Sequence, residues 1–543
     1  MMRDSGSLVQ TSARYDCDVL VIGSGVSGYC AAIQAAREGC DVVLLEKDEV
    51  LGGNSGPNLG VGITGADRYN AFGTETGIIH ELQEEAAWVN AFTPISAGTM
   101  PYNISRRNEA VVQSALEQAG VRILKRHFAC APVMREARIC GILAEDLAAF
   151  RSVEIGVKGV VVEASGDGHI GALAGAEYAF GSEGSNEYGE RSAPPEPRSW
   201  VQGTSLVALA RKTDHPVEFI PPPGTGEFTP RLWHGRIASF IQHGHGRFTG
   251  DTDLIFLYIT EAGGDLDTIR DDGRIYELLL GQLWAEWDHI KNGPHREESL
   301  HWDLLWVSPK AGKRESRRFL GDVIVAQTDL EAGRRFPDDI AYGGHDLDDH
   351  QSLGAAGSNI FGHSIPPMYG IPFRSCYSRN LDNLLLAGRL ISASHLAHSS
   401  TRLMRTGGAI GQAVGLAAAL CCAYQLTPRQ LYEQRLGELQ HRLVRRDGTI
   451  LCRALEDPED LARSASVSAS SETHFNEQEL DRLVPLVAPA GNLLWDWPQR
   501  LEQVEVYLRN DGDQTQPMTL TVLRARRDPP LDHGGALPSD GLE

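Results

Sequence analysis

Two histidines and two arginines, His395, His398, Arg402 and Arg405, follow one another at i, i+3, i+7 and i+10. On one continuous helix that spacing puts all four side chains on a single face. Histidine moves protons near neutral pH and arginine steadies an oxyanion, so the set suits interconversion of an alcohol and a carbonyl, or reduction of an alkene. His398 is the expected base, with Arg402 on the substrate oxygen and Arg405 beside it; His395 is the alternative base, being farther from the arginines. Gly407 and Gly408 leave open a loop running into the next helix, and pairing with the protein's own carboxylates is the other use for such cations. A second cluster, Arg314, Arg317 and Arg318 beside Glu315, adds Arg317 as a catalytic candidate, and a salt-bridged strand edge explains it equally well. The run GGHDLDDH, Gly343 to His350, contains metal-ligand residue types, but its irregular pattern reads as a solvated loop, and no metal site is expected.

An earlier constellation points to a bound dinucleotide. Gly23, Gly25 and Gly28 form G-x-G-x-x-G directly after the apolar run DVLVI and before an Ala-rich helical stretch. The first glycine makes the tight turn, the second lets the backbone approach a pyrophosphate, and the third lets helix and strand pack closely. Ser24 lies inside that turn. Glu46 ends a second apolar strand 18 residues after Gly28, near the spacing expected of a carboxylate that accepts from ribose hydroxyls, and Lys47 follows it. Gly52-Gly53-Asn54-Ser55 supplies a second glycine corner, which favours the extended FAD over NAD; Gly53, Asn54 and Ser55 are its expected contacts.

These motifs resemble the FAD-dependent oxidoreductases of the glutathione-reductase-like superfamily, especially the succinate dehydrogenase/fumarate reductase and heterodisulfide-reductase-like branch. VVVEASGDGHIGALAG (Val160 to Gly175), RESRRFLGD (Arg314 to Asp322), IPFRS (Ile371 to Ser375) and the long segment from Asn383 to Leu420 look like later family segments in the expected order. The resemblance implies that Gly166 and Asp167 lie near the cofactor and that Gly388 and Arg389 close over its pyrophosphate or ribityl chain. It also implies that a helix opening around Gly407-Gly408, with Gly408 and Gln412 in contact, aims its positive end at the flavin pyrimidine. Close helix packing accounts for Gly411 and Gly415 as well. Ser165 and His169 depart from the family's usual Thr and Asp in that turn. No histidine stands between Gly52 and Gly62, so FAD is expected to be held without a covalent bond.

The elements that must position these residues are those of an α/β protein with a Rossmann-like FAD-binding domain split in sequence. Its first part is expected over 16–183 and its second over 371–430, around an inserted α+β substrate domain at 184–370. A helical linker follows at 431–470, then a small β-rich C-terminal region at 471–543. The insert carries Trp233, His234, His243, His245, Trp284, Trp287, His301, Trp302 and Trp306, and aromatic platforms of this kind stack on sugar rings.

Length and composition bound what remains. The 543 residues exceed one ordinary domain, and 42% hydrophobic against 22% charged residues is a globular balance. A formal net charge of −22 repels nucleic-acid backbones, so no nucleic-acid partner is expected. With no membrane-spanning run or leader visible, the expected location is cytoplasmic. The nine cysteines show neither a CxxC pair nor zinc spacing and read as buried thiols. The leading expectation is dehydrogenation of a C–OH group of a small polar substrate, a sugar or glycoside among them, by hydride transfer to flavin N5, with an electron acceptor that the sequence does not name. A fumarate-reductase-like alkene reductase is the alternative enzyme, and a flavin-bearing binding or RNA-modification protein the alternative of another class.

Overall fold

The computed structural model describes residues 13–70, 73–89, 102–228, 254–350, 352–353 and 364–466. Strands β1 (Ala13–Ile22), β2 (Val42–Glu46) and β3 (Arg122–Lys125) lie side by side and parallel. On its other edge β1 pairs in parallel with β6 (Arg151–Glu163), and the strand Leu384–Leu386 joins β6 in register with Val161 to Glu163. These strands carry near-continuous Val, Leu and Ile because the core strands of a parallel sheet are covered on both faces; Val19 to Val21 and Val42 to Leu44 are fully buried. Two stretches of chain more than 200 positions apart therefore build one sheet, the split domain expected from sequence.

The length of β6 lets it serve two partners. Its C-terminal half takes the distant strand, while its N-terminal half pairs antiparallel with β5 (Arg138–Asp146), which continues to β4 (His127–Arg135). Helix α1 (Val26–Arg37) crosses from β1 to β2 and lies against the long helix Met404–Tyr424. Small residues make that crossing close. A side chain at Gly411 would fall on the backbone of Ser27, and one at Gly415 on the backbone of Ala31. Met404–Tyr424 is also the one described helix long and apolar enough to span a bilayer, and most of it is buried inside the protein.

The segment expected as one insert, 184–370, divides between two cores. Strands Thr204–Lys212, Leu254–Ala262 and Trp302–Val307 form an antiparallel sheet covered by the helix Asp272–Asn292. Leu206, Ala208, Ile275, Leu279 and Leu283 pack between them, and so does Trp287, which is thereby core and not a sugar platform. Trp233, His234, His243 and His245 lie outside the described residues. From Phe319 to Ile371 the apolar side chains, among them Val325, Leu330, Ile340 and Tyr369, join the core of the parallel sheet. The helix Pro428–Arg445 buries Leu431, Leu439 and Leu443 in that same core, so it packs as part of the body where a linker was expected. A compact unit closes at Ala454, and the expected β region at 471–543 lies outside the described residues.

Candidate active site

The glycine turn has the steric logic its spacing predicts. Gly23 has φ of 94°, and a Cβ there would sit 2.6 Å from Ser165 Cα and 2.7 Å from the Ala164 carbonyl oxygen. A side chain at Gly28 would fall on the Gly23 carbonyl. Gly25 is the opposite case: it caps α1 at φ −58° and ψ 171°, and a Cβ there meets nothing within 4 Å. Gly25 also bridges Gly52, and Gly53 (φ 57°) packs on it. The space before the first turn of α1 is therefore open, with backbone N–H groups facing it. Glu46, buried at the end of β2, accepts from Ser24 N at 2.9 Å and Ser24 Oγ at 2.5 Å on Oε2, and from Asp48 N at 2.8 Å on Oε1. A carboxylate offers about four acceptor directions, so room remains for a ribose hydroxyl. Lys47 is exposed, Ser55 Oγ donates to Gly52 O, and Asn54 Nδ2 donates to Lys313 O.

A second wall is knotted by charge. Arg389 donates to Gly166 O at 2.6 Å, to Asp167 Oδ1 at 3.0 Å and to Lys313 O, while Lys313 Nζ reaches Asp167 Oδ2 at 2.9 Å. Burial alone would raise the Asp167 carboxyl, but Arg389 and Lys313 outweigh it and hold it at about 2. Gly388 (φ 68°) and Gly407 stand over Ser27, where a Cβ would come within 2.6 Å and 2.7 Å of Oγ.

The four residues spaced for one helical face do not share one. The chain forms two helices, His395–Thr401 and Met404–Tyr424, with Arg402 capping the first. The second begins three residues before Gly407, so the glycines are its fourth and fifth residues and do not open it. Arg405 consequently turns away to Asp67 at 2.5 Å. Gln412 is used inside the protein, accepting from Ile78 N at 2.9 Å and donating to Arg446 O at 2.8 Å. Gly408 packs on Ile79.

His398 does not suit the base role assigned to it. Its Nε2 must donate to Arg389 O at 3.1 Å, its Nδ1 faces Gln202 at 3.5 Å, and it is fully buried. Burial first, then Arg318, Arg402 and His395, push it down to about 3, so it stays neutral and accepts no proton near neutral pH. His395 is the reverse. Nδ1 meets Glu315 Oε2 at 2.8 Å and Nε2 meets Asp349 Oδ1 at 3.2 Å. Burial works against its charge, yet Glu315 and Asp349 prevail and hold it as an imidazolium. Glu315, which also accepts from Gln202 N at 3.0 Å and is ion-paired with Arg318 (Nε to Oε1, 3.0 Å), is held at about 2 against its own burial by His395 and Arg318.

The remaining cations are also engaged. Arg402 donates to Gln202 Oε1 at 3.0 Å and to Asp348 O and Oδ2 at 2.8 and 3.0 Å. Arg314 pairs with Glu261 at 2.5 Å, and the fully buried Arg318 pairs with Glu183 at 2.9 Å. Arg317 donates to Asp167 O at 2.9 Å and lies over the Tyr178 ring. The Gly343–His350 run is no solvated loop: His345, Asp346 and His350 are buried, with Tyr69 donating to Asp346 and Glu261 facing His350, while the half-buried Asp348 and Asp349 meet Arg402 and His395. Sequence reasoning thus missed Glu315, Asp348, Asp349 and Gln202 as site residues. Their signal was the two charge clusters themselves, whose opposite signs neutralise each other across the fold.

A family model described as FAD dependent oxidoreductase matches residues 18–443. The chain belongs to this family of FAD-dependent oxidoreductases. Among curated proteins, digoxin reductase of Eggerthella lenta is 42% identical over 69 residues, 12% of this chain and 12% of that protein. Fumarate reductase (cytochrome) of Shewanella frigidimarina is 51% identical over 45 residues, 8% of each. The matched stretches thus span about a tenth of these relatives' lengths. Among solved structures the myxobacterial chondrochloren halogenase CndH is 14% identical, with 83% of this chain and 88% of that chain covered at a TM-score of 0.37.

The oxidoreductase takes FAD as its cofactor, and the residues present fit it. Open space at Gly25 before the α1 N-terminus would take the pyrophosphate, and the remaining acceptor direction of Glu46 would take the ribose.

Proposed function

We propose that this oxidoreductase dehydrogenates a C–OH group of a neutral, hydroxyl-rich substrate, with sugars and glycosides the leading class. One observation supports the neutral class: the site's cations are already balanced by carboxylates of the protein. Arg402 has Asp348, His395 has Glu315 and Asp349, Arg314 has Glu261, and Arg405 has Asp67. A dicarboxylate entering there would lose its hydration without gaining a counter-charge, whereas hydroxyls ask only for hydrogen bonds.

Bound FAD supplies the hydride acceptor. Glu315 fixes Nδ1 of His395, as a buried carboxylate orients an imidazole in other proton-transfer sites, and Nε2, which meets Asp349 Oδ1 at 3.2 Å, is the nitrogen that exchanges the hydroxyl proton when the substrate takes the place of that contact. Arg402 commits Nε and Nη2 to Gln202 and Asp348, which leaves the Nη1 side of its fork for the substrate oxygen. Because His395 rests as the imidazolium, it accepts a proton only after losing one.

That charge favours a second reading, reduction of a neutral activated C=C with His395 as proton donor, in keeping with the local likeness to digoxin reductase. Anaerobic mixing with neutral polyols and glycosides, followed by absorbance, tests both. Bleaching of the flavin is the expected result. Failure to bleach, with recolouring of photoreduced enzyme by neutral enones, selects the second reading; recolouring by fumarate overturns the neutral class.

A further inference from the structure

An alternating line of buried charges runs from the inserted sheet to Arg402. Arg314 donates to Gly203 O at 2.8 Å, Ser205 Oγ at 2.7 Å and Glu261 Oε1 at 2.5 Å. Ser205 and Glu261 are cross-strand neighbours, and Ser205 Oγ donates to the same Oε1 at 3.0 Å. Glu261 Oε2 meets His350 Nδ1 at 2.9 Å, and His350 Nε2 meets Asp348 Oδ2 at 2.9 Å. Asp348 Oδ2 in turn accepts from Arg402 Nη2 at 3.0 Å.

Both ring nitrogens of His350 face carboxylates, so both donate and the ring is an imidazolium. Each carboxylate then lies between two cations, so both carboxylates and the imidazolium between them are compensated on both sides. Asp348 could by itself swing with Arg402. It is held because the oxygen facing Arg402 is shared with His350, whose other nitrogen is tied to a paired strand. Movement of the guanidinium would strip a partner from a buried imidazolium.

We propose that His350 and Glu261 are positioning residues for Arg402, through which the inserted sheet sets where the arginine meets the substrate. This rests on the role given above to Arg402. The line has a direction: Glu261 is fixed by a strand, Arg314 by its bonds to Gly203 O and Ser205 Oγ, Asp348 and His350 by a loop, and Arg402 stands at the junction of two helices. An arginine so placed is prepared for one oxygen position before substrate arrives.

The test uses FAD-loaded protein in four forms: wild type, His350→Ala, Arg402→Ala and the double variant. Melting temperatures need no substrate. Coupling predicts that the double variant loses less than the sum of the single losses, by about 3 °C or more. The polyol or glycoside that reduces wild type fastest then reads function. His350→Ala should lower kcat/KM for flavin reduction about 10- to 100-fold. His350→Gln, whose amide can still donate to both carboxylates, should recover part of that loss, and Glu261→Gln should fall between them. Additive melting losses overturn the proposal, as do wild-type reduction kinetics in His350→Ala. If no polyol or glycoside reduces wild type, the assigned reaction fails, while additivity in melting still decides the positioning claim.

Discussion

Gly25 and Gly23 sit two residues apart in one turn and should respond to substitution in opposite ways. Gly25 has φ and ψ that any L residue adopts, and a Cβ there touches nothing within 4 Å. Gly25→Val should therefore fold, with the apo-protein changed by less than about 0.5 kcal/mol. Its branched side chain fills the space through which the pyrophosphate reaches the α1 N–H groups. Losing two charge-assisted hydrogen bonds at about 1.5–3 kcal/mol each weakens FAD by about 3–6 kcal/mol, roughly 10²- to 10⁴-fold. Gly23→Ala should fail in the fold itself. Its φ of 94° costs an L residue about 1–2 kcal/mol. The Cβ at 2.6 Å from Ser165 Cα, against 3.4–4 Å for ordinary contact, adds about 1–3 kcal/mol of forced backbone shift. The assay pairs flavin-to-protein absorbance ratio with melting of the apo-proteins by circular dichroism. A Gly25→Val protein that is fully yellow, or one that melts as early as Gly23→Ala, refutes the assignment of Gly25 to cofactor approach and Gly23 to the turn.

Three further outcomes are expected. Glu315→Gln removes the carboxylate on His395 Nδ1 and should slow flavin reduction by substrate about 10²- to 10⁴-fold in stopped flow. In wild type, oxidation should accelerate as pH rises above the ordinary histidine range, since only there does His395 lose its proton; a flat profile would remove His395 from the proton path. Asp339, buried with Oδ1 lacking a hydrogen-bond partner among the described residues, is raised to about 7 by burial and by Asp338. Its folded form holds a proton the unfolded chain has lost, so stability is fullest below its ordinary value and falls as pH climbs through about 7. Asp339→Asn should flatten that decline, gaining about 2–4 kcal/mol at pH 8 in denaturant melts. Finally, acid precipitation should release all the FAD unmodified into the supernatant, because no histidine stands between Gly52 and Gly62 to attach it; yellow pellets after washing would contradict this.

The sequence by itself determined the cofactor half of the molecule. A glycine turn is local: the type and order of residues from Asp16 to Glu46 decide strand, turn, helix and strand, and Gly23, Gly25 and Gly28 act on neighbours a few positions away. Apolar runs likewise marked β1, β2, the Val160–Ala164 end of β6 and Leu384–Ala387 as strands, while the N-terminal half of β6 was not legible. What only the tertiary structure decided was the charge state of the site. His395 and His398 lie three residues apart on one short helix, and nothing local distinguishes them. One became a cation and the other stayed neutral because Glu315 and Asp349, 80 and 46 positions away, both face His395, while His398 received a backbone carbonyl and an amide. The Gly343–His350 run read as a solvated loop for the same reason: its acids look hydrated until the arginines that neutralise them are brought alongside. Protonation depends on burial and on the sign of whatever lies within a few ångströms, and the chain order that spells a turn does not specify either.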